Sequence, residues 1–224
     1  MKIHPFVETV ASLQFKDCFN PYSARCEVHD RCDAPRRRAE ALSAVLCRAI
    51  EEPVDAIWIG RDLGYRGGRR TGLALTDDHH LGQHASRWKL DPVADRPTIG
   101  RAVSERTAAL IWGMLEHIDA RIFLWNVFPL HPHETGEPFT NRKHNAHERR
   151  AGEVLLQQLI ALLKPARIVA IGNDAAASAR RLPDALPVIC VRHPSYGGQT
   201  KFQAQISELY GNPTRPISLF DKLL

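Results

Sequence analysis

Three polar residues stand at the ends of three short apolar runs, and their chemistries complement one another. Asp62 follows VDAIWIG (54–60), Asn126 lies at the end of RIFLWNV (121–127), and His193 follows PVICV (187–191). A carboxylate can orient a water and stabilise a developing cation. A carboxamide donates and accepts at once, so it can read an edge that does both. An imidazole can donate to an oxygen that gains negative charge. Together they suit cleavage of a bond that parts into a cation and an anion. The histidine opens a polar loop, HPSYGG (193–198). Taken alone, that loop suits a turn with a surface histidine equally well.

The elements that would position these residues follow from periodicity. A helix is predicted from Pro35 to about Glu51, with Leu42, Val45, Leu46, Ala49 and Ile50 at helical spacing. Further helices are predicted over about 100–117, 145–163 and 200–210, and a short one, capped by Asp174, to about Arg181. Gly211 is a natural stop for the last. Between them lie the strand-like runs 54–60, 121–127, 167–172 and 187–191. Strands alternating with helices indicate parallel βαβ units, and runs apolar on both sides suit a sheet covered on both faces. Residues 1–34 read as irregular. In open sheets of this kind ligands bind beyond the carboxyl ends of the strands. Asp62, Asn126 and His193 are therefore expected on one edge, with Gly172 and Asn173 ending the third strand.

Composition narrows the class. The chain has 224 residues, 44% of them hydrophobic, which suits one globular domain spanning 1–224. No apolar run approaches the roughly 20 residues of a membrane helix, and the N-terminus lacks a signal-type apolar region. A cytoplasmic, monomeric protein is expected. Five cysteines, an odd number, fit free thiols. The net charge of +5 is too mild to argue for nucleic acid, but its distribution is uneven. Arg61, Arg66, Arg69 and Arg70 crowd one Gly-rich loop, and Arg142, Lys143, Arg149 and Arg150 another stretch, where they could neutralise phosphates. Arg36, Arg37 and Arg38 read as a solvated first helical turn. Histidines 79, 80, 84, 131, 133, 144 and 147 form no metal-ligand signature and read as surface residues. Tyr22, Trp58 and Trp125 read as packing residues.

A glycosidic bond between deoxyribose and a base parts in the manner described. In that light the chain resembles the uracil-DNA glycosylase superfamily. The matching pieces are GRDLGYRGGRRTGLAL (60–75), WNVFPLHP (125–132), NR (141–142), IG (171–172) and VRHPS (191–195), in order along the chain. The resemblance implies an α/β fold, a three-layer α/β/α arrangement around a four-stranded parallel sheet. It implies flipping of uracil, or of other deaminated bases, and hydrolysis of the N-glycosidic bond in base excision repair to leave an abasic site. It implies uracil-containing DNA, single- or double-stranded, as partner and no required metal or other cofactor. Asp62 matches the family's water-positioning acid, and His193 the histidine that donates to uracil O2. Asn126 matches the asparagine that reads the base edge. The loop from Pro194 to Gly198, with Ser195, Tyr196 and Gly197, matches the segment pressed into the minor groove, and Tyr196 is a candidate wedge. Arg66, Arg69, Arg70, Arg142 and Lys201 are the expected DNA contacts.

Departures from the family pattern bear on specificity. Leu75 stands where the family stacks the base on an aromatic residue, which weakens stacking. Gly64 stands where one branch has a tyrosine that excludes the methyl of thymine, with Tyr65 beside it. Cys18, Cys26 and Cys32 lack the Cys-x2-Cys pair of the iron–sulfur branch, so no cluster is expected. Two other readings fit the sequence: a catalytically silent binder of abasic or uracil-containing DNA, for which Leu75 argues, and a metal-dependent hydrolase built on the histidine-rich loops.

Overall fold

The computed structural model describes residues 2–90, 96–183 and 186–211. In chain order the elements are α1 (Pro5–Ser12), β1 (Cys18–Phe19), α2 (Ala34–Glu51), β2 (Ala56–Asp62), α3 (Gly68–Thr71), α4 (Leu81–Arg87) and α5 (Arg106–Leu115). They continue as β3 (Ile122–Phe128), β4 (His131–Pro132), α6 (Ala146–Leu163), β5 (Arg167–Ile171), α7 (Asn173–Ala179), β6 (Val188–Val191) and α8 (Gln199–Tyr210).

The four apolar runs form one parallel sheet in the order β3-β2-β5-β6. Alternation along each strand divides its side chains between two cores. Ile57, Ile59, Phe123, Trp125 and Ile168 pack with Leu42 and Leu46 of α2, Leu155 and Leu159 of α6 and Ala175 of α7. On the other face Trp58, Leu124, Val169 and Val191 pack with Ile111 and Leu115 of α5 and Phe202 and Ile206 of α8. The expected three-layer α/β/α architecture is present.

Local chemistry sets the helix ends. Asn145 and Glu148 form a reciprocal capping box at the start of α6, and Gly211 closes α8 in the left-handed conformation at φ 70°. The helix predicted from residue 100 begins only at Arg106. The backbone N–H groups of Val103 and Glu105 are instead bonded by the carboxylates of Asp78 (3.1 Å) and Asp77 (2.6 Å). Asp174 does not cap α7; Gly172 holds that position, and Asp174 lies in the first turn with its carboxylate bonded elsewhere.

The first 34 residues are more ordered than their composition suggested. His4 caps α1 through Nδ1 and the Phe6 N–H (3.1 Å), and β1 pairs antiparallel with β4. Nor is Arg38 solvated. It is fully buried, ion-paired with Asp30 and bonded to the Arg70 carbonyl (2.8 Å). A charge this deep persists because it is paired and hydrogen-bonded. All five cysteines are free. Among the described residues no helix is long and apolar enough to cross a membrane.

One glycine sets the distance between α6 and the sheet. A Cβ on Gly152 would press into the backbone carbonyl of Val127, next to Asn126 in sequence. Backbone cannot rotate aside, so Gly152→Ala is expected to cost about 2–3 kcal/mol. That corresponds to a fall in Tm of roughly 5–10 °C, measured by thermal unfolding; an unchanged Tm would contradict this packing.

Candidate active site

A cleft of about 690 Å³ opens at the carboxyl edge of the sheet, and Asp62, Asn126, Leu75 and His193 all line it. Register explains part of this convergence. Gly60 of β2 sits opposite Asn126 of β3. A Cβ on Gly60 would stand 2.9 Å from Asn126 Nδ2 and 3.2 Å from Leu75 Cδ2. The missing side chain is what lets the carboxamide and the leucine occupy one corner. Asn126 is buried, and its Oδ1 has no hydrogen-bond partner among the described residues. A buried acceptor without a donor is costly, and a donor brought by a ligand would relieve it. Leu75 holds a left-handed backbone at φ 54°, and its carbonyl accepts from Trp112 Nε1 (3.2 Å).

Asp62 ends β2 with its side chain only 6% exposed and both oxygens engaged. Arg61 Nε donates to Oδ2 (2.6 Å), and His144 Nδ1 donates to Oδ1. Each carboxylate oxygen has a second lone pair, so a water can still be held. Arg61 also reaches Asp174 (3.2 Å), which pairs with Lys143 (2.6 Å). This chain ties the end of β2 to the first turn of α7 and to the loop before α6. Burial works against the Arg61 charge, but Asp62 and Asp174 overcome it and hold its pKa above the ordinary value. The Lys143 ammonium is the main cause that keeps Asp174 below the usual carboxylate range.

His193 is fixed in one tautomer. Its Nδ1 accepts from the Ser195 backbone N–H (3.2 Å) and lies 2.7 Å from Ser195 Oγ. In the neutral ring the proton therefore resides on Nε2, which makes that atom the donor. Burial, then the charges of Arg61 and Arg192, lower its pKa below the ordinary histidine value. The ring leans on Gly172, where φ is 96° and a Cβ would come within 3.3 Å of His193 Cβ. Glycine is required there twice over, for the left-handed backbone and for the close approach.

The remaining expected residues fall into two groups. Tyr196 is 97% exposed at the cleft mouth, with φ 51°, and Gly197 follows at φ 72°. Arg66 and Lys201 are at the surface. Arg69 and Arg70, expected to contact DNA, are only 3% and 6% exposed. Arg69 packs over the Phe19 ring and bonds His131 (3.0 Å), while Arg70 pairs with buried Asp78 (2.8 Å). Their charges serve the interior, because the α3 turn folds them inward, and the phosphate role does not fit them. Arg142 lines the cleft, but it is bonded to both oxygens of Glu148 (2.8 and 2.7 Å). Tyr65 is not among the residues lining the cleft. Its backbone N–H donates to Asn141 (3.0 Å), and its ring carries Arg66.

Several histidines read as surface residues are buried. His80, His84, His131 and His144 lie inside, whereas His79 and His147 are exposed. His80 bonds Asp77, His84 packs edge-on against Trp112, and burial drives the pKa of His84 and His131 down to about 3. Among the described residues no three His, Cys, Asp or Glu side chains gather as metal ligands. His144, the partner of Asp62, is the residue that sequence reasoning missed. Its signal was slight: it follows the NR piece by two positions and immediately precedes the Asn145 cap.

Comparison with known proteins bears on the family and the fold. The family model described as the uracil DNA glycosylase superfamily matches residues 59–210. No curated protein matches the sequence. A solved structure similar in fold is the crystal structure of wild-type SMUG2 from Pedobacter heparinus. It is 13% identical, with a TM-score of 0.58, over 92% of this chain and 97% of that one.

Proposed function

This chain belongs to the uracil DNA glycosylase superfamily, and on that footing we propose that it removes uracil from DNA by hydrolysing the N-glycosidic bond. The observation that supports this most is the unpartnered Oδ1 of buried Asn126, in the same cleft as Asp62 and a His193 whose Nε2 is the donor. A flipped uracil supplies what these groups lack. Its N3–H can donate to Asn126 Oδ1 while the amide nitrogen donates to O4. His193 Nε2–H donates to O2 as the base leaves as an anion. Asp62 holds the attacking water and stabilises the cationic sugar, while Arg61 and His144 hold Asp62. Excision of uracil in base excision repair, by a cytoplasmic monomer, belongs to the same reading.

Tyr196 is the proposed wedge. Nearly all of its side chain is in solvent, on a strained turn, as suits an aromatic group that enters the stack. Extrusion of a base from a duplex costs a few kcal/mol and much less from a single strand. Tyr196→Ala is therefore expected to slow uracil release from duplex DNA about tenfold more than from single-stranded DNA, in parallel single-turnover assays. Equal effects on both would remove the wedge assignment.

Leu75 favours a second reading, a silent binder of uracil-containing or abasic DNA, because an aliphatic side chain stacks poorly on a base. One experiment separates the readings. A labelled oligonucleotide with one uracil, single-stranded or opposite guanine or adenine, is incubated with and without chelator and then treated with alkali. Cleavage at the uracil supports the proposed reaction; binding without cleavage favours the silent binder; activity abolished by chelator favours a metal-dependent hydrolase.

A further inference from the structure

Asp62, Asn126 and His193 carry the roles proposed above. The same cleft is lined by a carboxyl that none of these roles uses. Glu105, the residue before α5, lines the cleft. Its backbone N–H is bonded by Asp77, but its carboxyl has no hydrogen bond among the described residues. Two glycines make room for it. A Cβ on Gly64 would stand 2.6 Å from Glu105 Oε1, and a Cβ on Gly67 would collide with Oε2. The carboxyl thus fills the volume that a side chain on the loop after β2 would otherwise take. A second polar group is unpartnered beside the same cavity as Asn126 Oδ1.

The chemistry of uracil tells which edge would meet this group. On the roles proposed above, N1 carries the sugar, O2 faces His193, and N3 and O4 face Asn126. The edge left over is C5–C6. We propose that Glu105 is the specificity-determining residue of this pocket, its carboxyl forming the wall against which C5 of the base rests and a C5-methyl group clashes. The proposal depends on the uracil reading and adds to it the group that discriminates uracil from thymine. The loop glycines leave no side chain at residue 64 for that task, and Tyr65 does not line the cleft.

The charge state of this carboxyl adds a second expectation. Burial, reinforced by the charge of Asp77, raises the Glu105 pKa to about 7, and Arg66 opposes the shift. Asp77, from the segment before α4, is itself bonded by His80, and Arg66 belongs to the turn after β2. Below about 7 the carboxyl is neutral and tolerates a base leaving as an anion. Above it, a second negative charge in the cavity opposes that departure. The rate of base release is therefore expected to fall as pH rises through about 7.

The test compares wild type, Glu105→Ala and Glu105→Gln on duplexes with one G·U or one G·T pair, in single-turnover assays from pH 5.5 to 9. Thermal unfolding checks that each variant is folded, with Glu105→Ser replacing the alanine variant if it is not. Removal of the wall is expected to raise thymine release relative to uracil release at least tenfold, since a single methyl is worth about 10–200-fold in a pocket. Glutamine has the same shape and no charge. It is expected to keep the wild-type discrimination and to lose the fall in rate above neutral pH. An unchanged uracil-to-thymine ratio in the alanine variant, or an alkaline fall that persists in the glutamine variant, overturns the proposal while the uracil reading stands. Wild type that releases thymine as fast as uracil also overturns it. Wild type inert on uracil defeats the uracil reading and this proposal together.

Discussion

Asp62→Asn is expected to lower the single-turnover rate of uracil release by about 10³-fold while the protein still binds uracil-containing DNA. The size follows from two contributions. A carboxylate about 5 Å from a cationic sugar, at an effective dielectric near 20, is worth about 3 kcal/mol, or roughly 10²-fold. Loss of the group that orients the water adds about tenfold or more. The fold should survive. The asparagine oxygen can still accept from buried His144, and Arg61, whose side chain is 39% exposed, can turn to solvent while keeping Asp174. Binding measured on the same oligonucleotide separates catalysis from affinity. A variant within tenfold of the wild-type rate would show that Asp62 is not the water-positioning acid.

His193→Ala is expected to cost about 10²–10³-fold, the loss seen when one donor to a developing oxyanion is removed. The pH dependence carries a sign. The pKa of His193 is lowered by burial, then by Arg61 and Arg192. The neutral ring, with its Nε2 proton, therefore persists below the ordinary histidine value of about 6.5. Any acid limb due to His193 should lie below that value and vanish in the alanine variant. A limb at or above 6.5 that disappears with His193 would mean that the ring titrates in a more polar setting than the structure gives it.

The features legible in the sequence were those written in short stretches. The four strands are apolar on both sides, and their helices repeat at 3.6, so the sheet followed. Asp62, Asn126 and His193 each sit within two residues of a strand end, and so one edge followed. What stayed hidden depends on contacts between distant segments. His144 looks like one of several loop histidines until Phe128 packs beside it and its Nδ1 finds Asp62, 82 residues away. Glu105 falls inside the helix predicted over about 100–117; only the fold brings Gly64 and Gly67 against its carboxyl. Arg38 reads as solvated, and Arg69 and Arg70 as phosphate contacts, because charge counting does not show that Asp30, His131 and Asp78 pair with them in the interior. The late start of α5 has the same origin: Asp77 and Asp78, far back in the chain, take the N–H groups of residues predicted to be helical.

On the proposed function, the edge of this sheet cleaves the bond between uracil and deoxyribose. Mass spectrometry of an oligonucleotide with one uracil, incubated with stoichiometric protein, tests it most directly. Free uracil and an abasic strand are expected in equal amounts with wild type, and neither on the same timescale with Asp62→Asn. An intact uracil-containing strand after incubation with folded wild type that binds it, or equal release by wild type and variant, would contradict it.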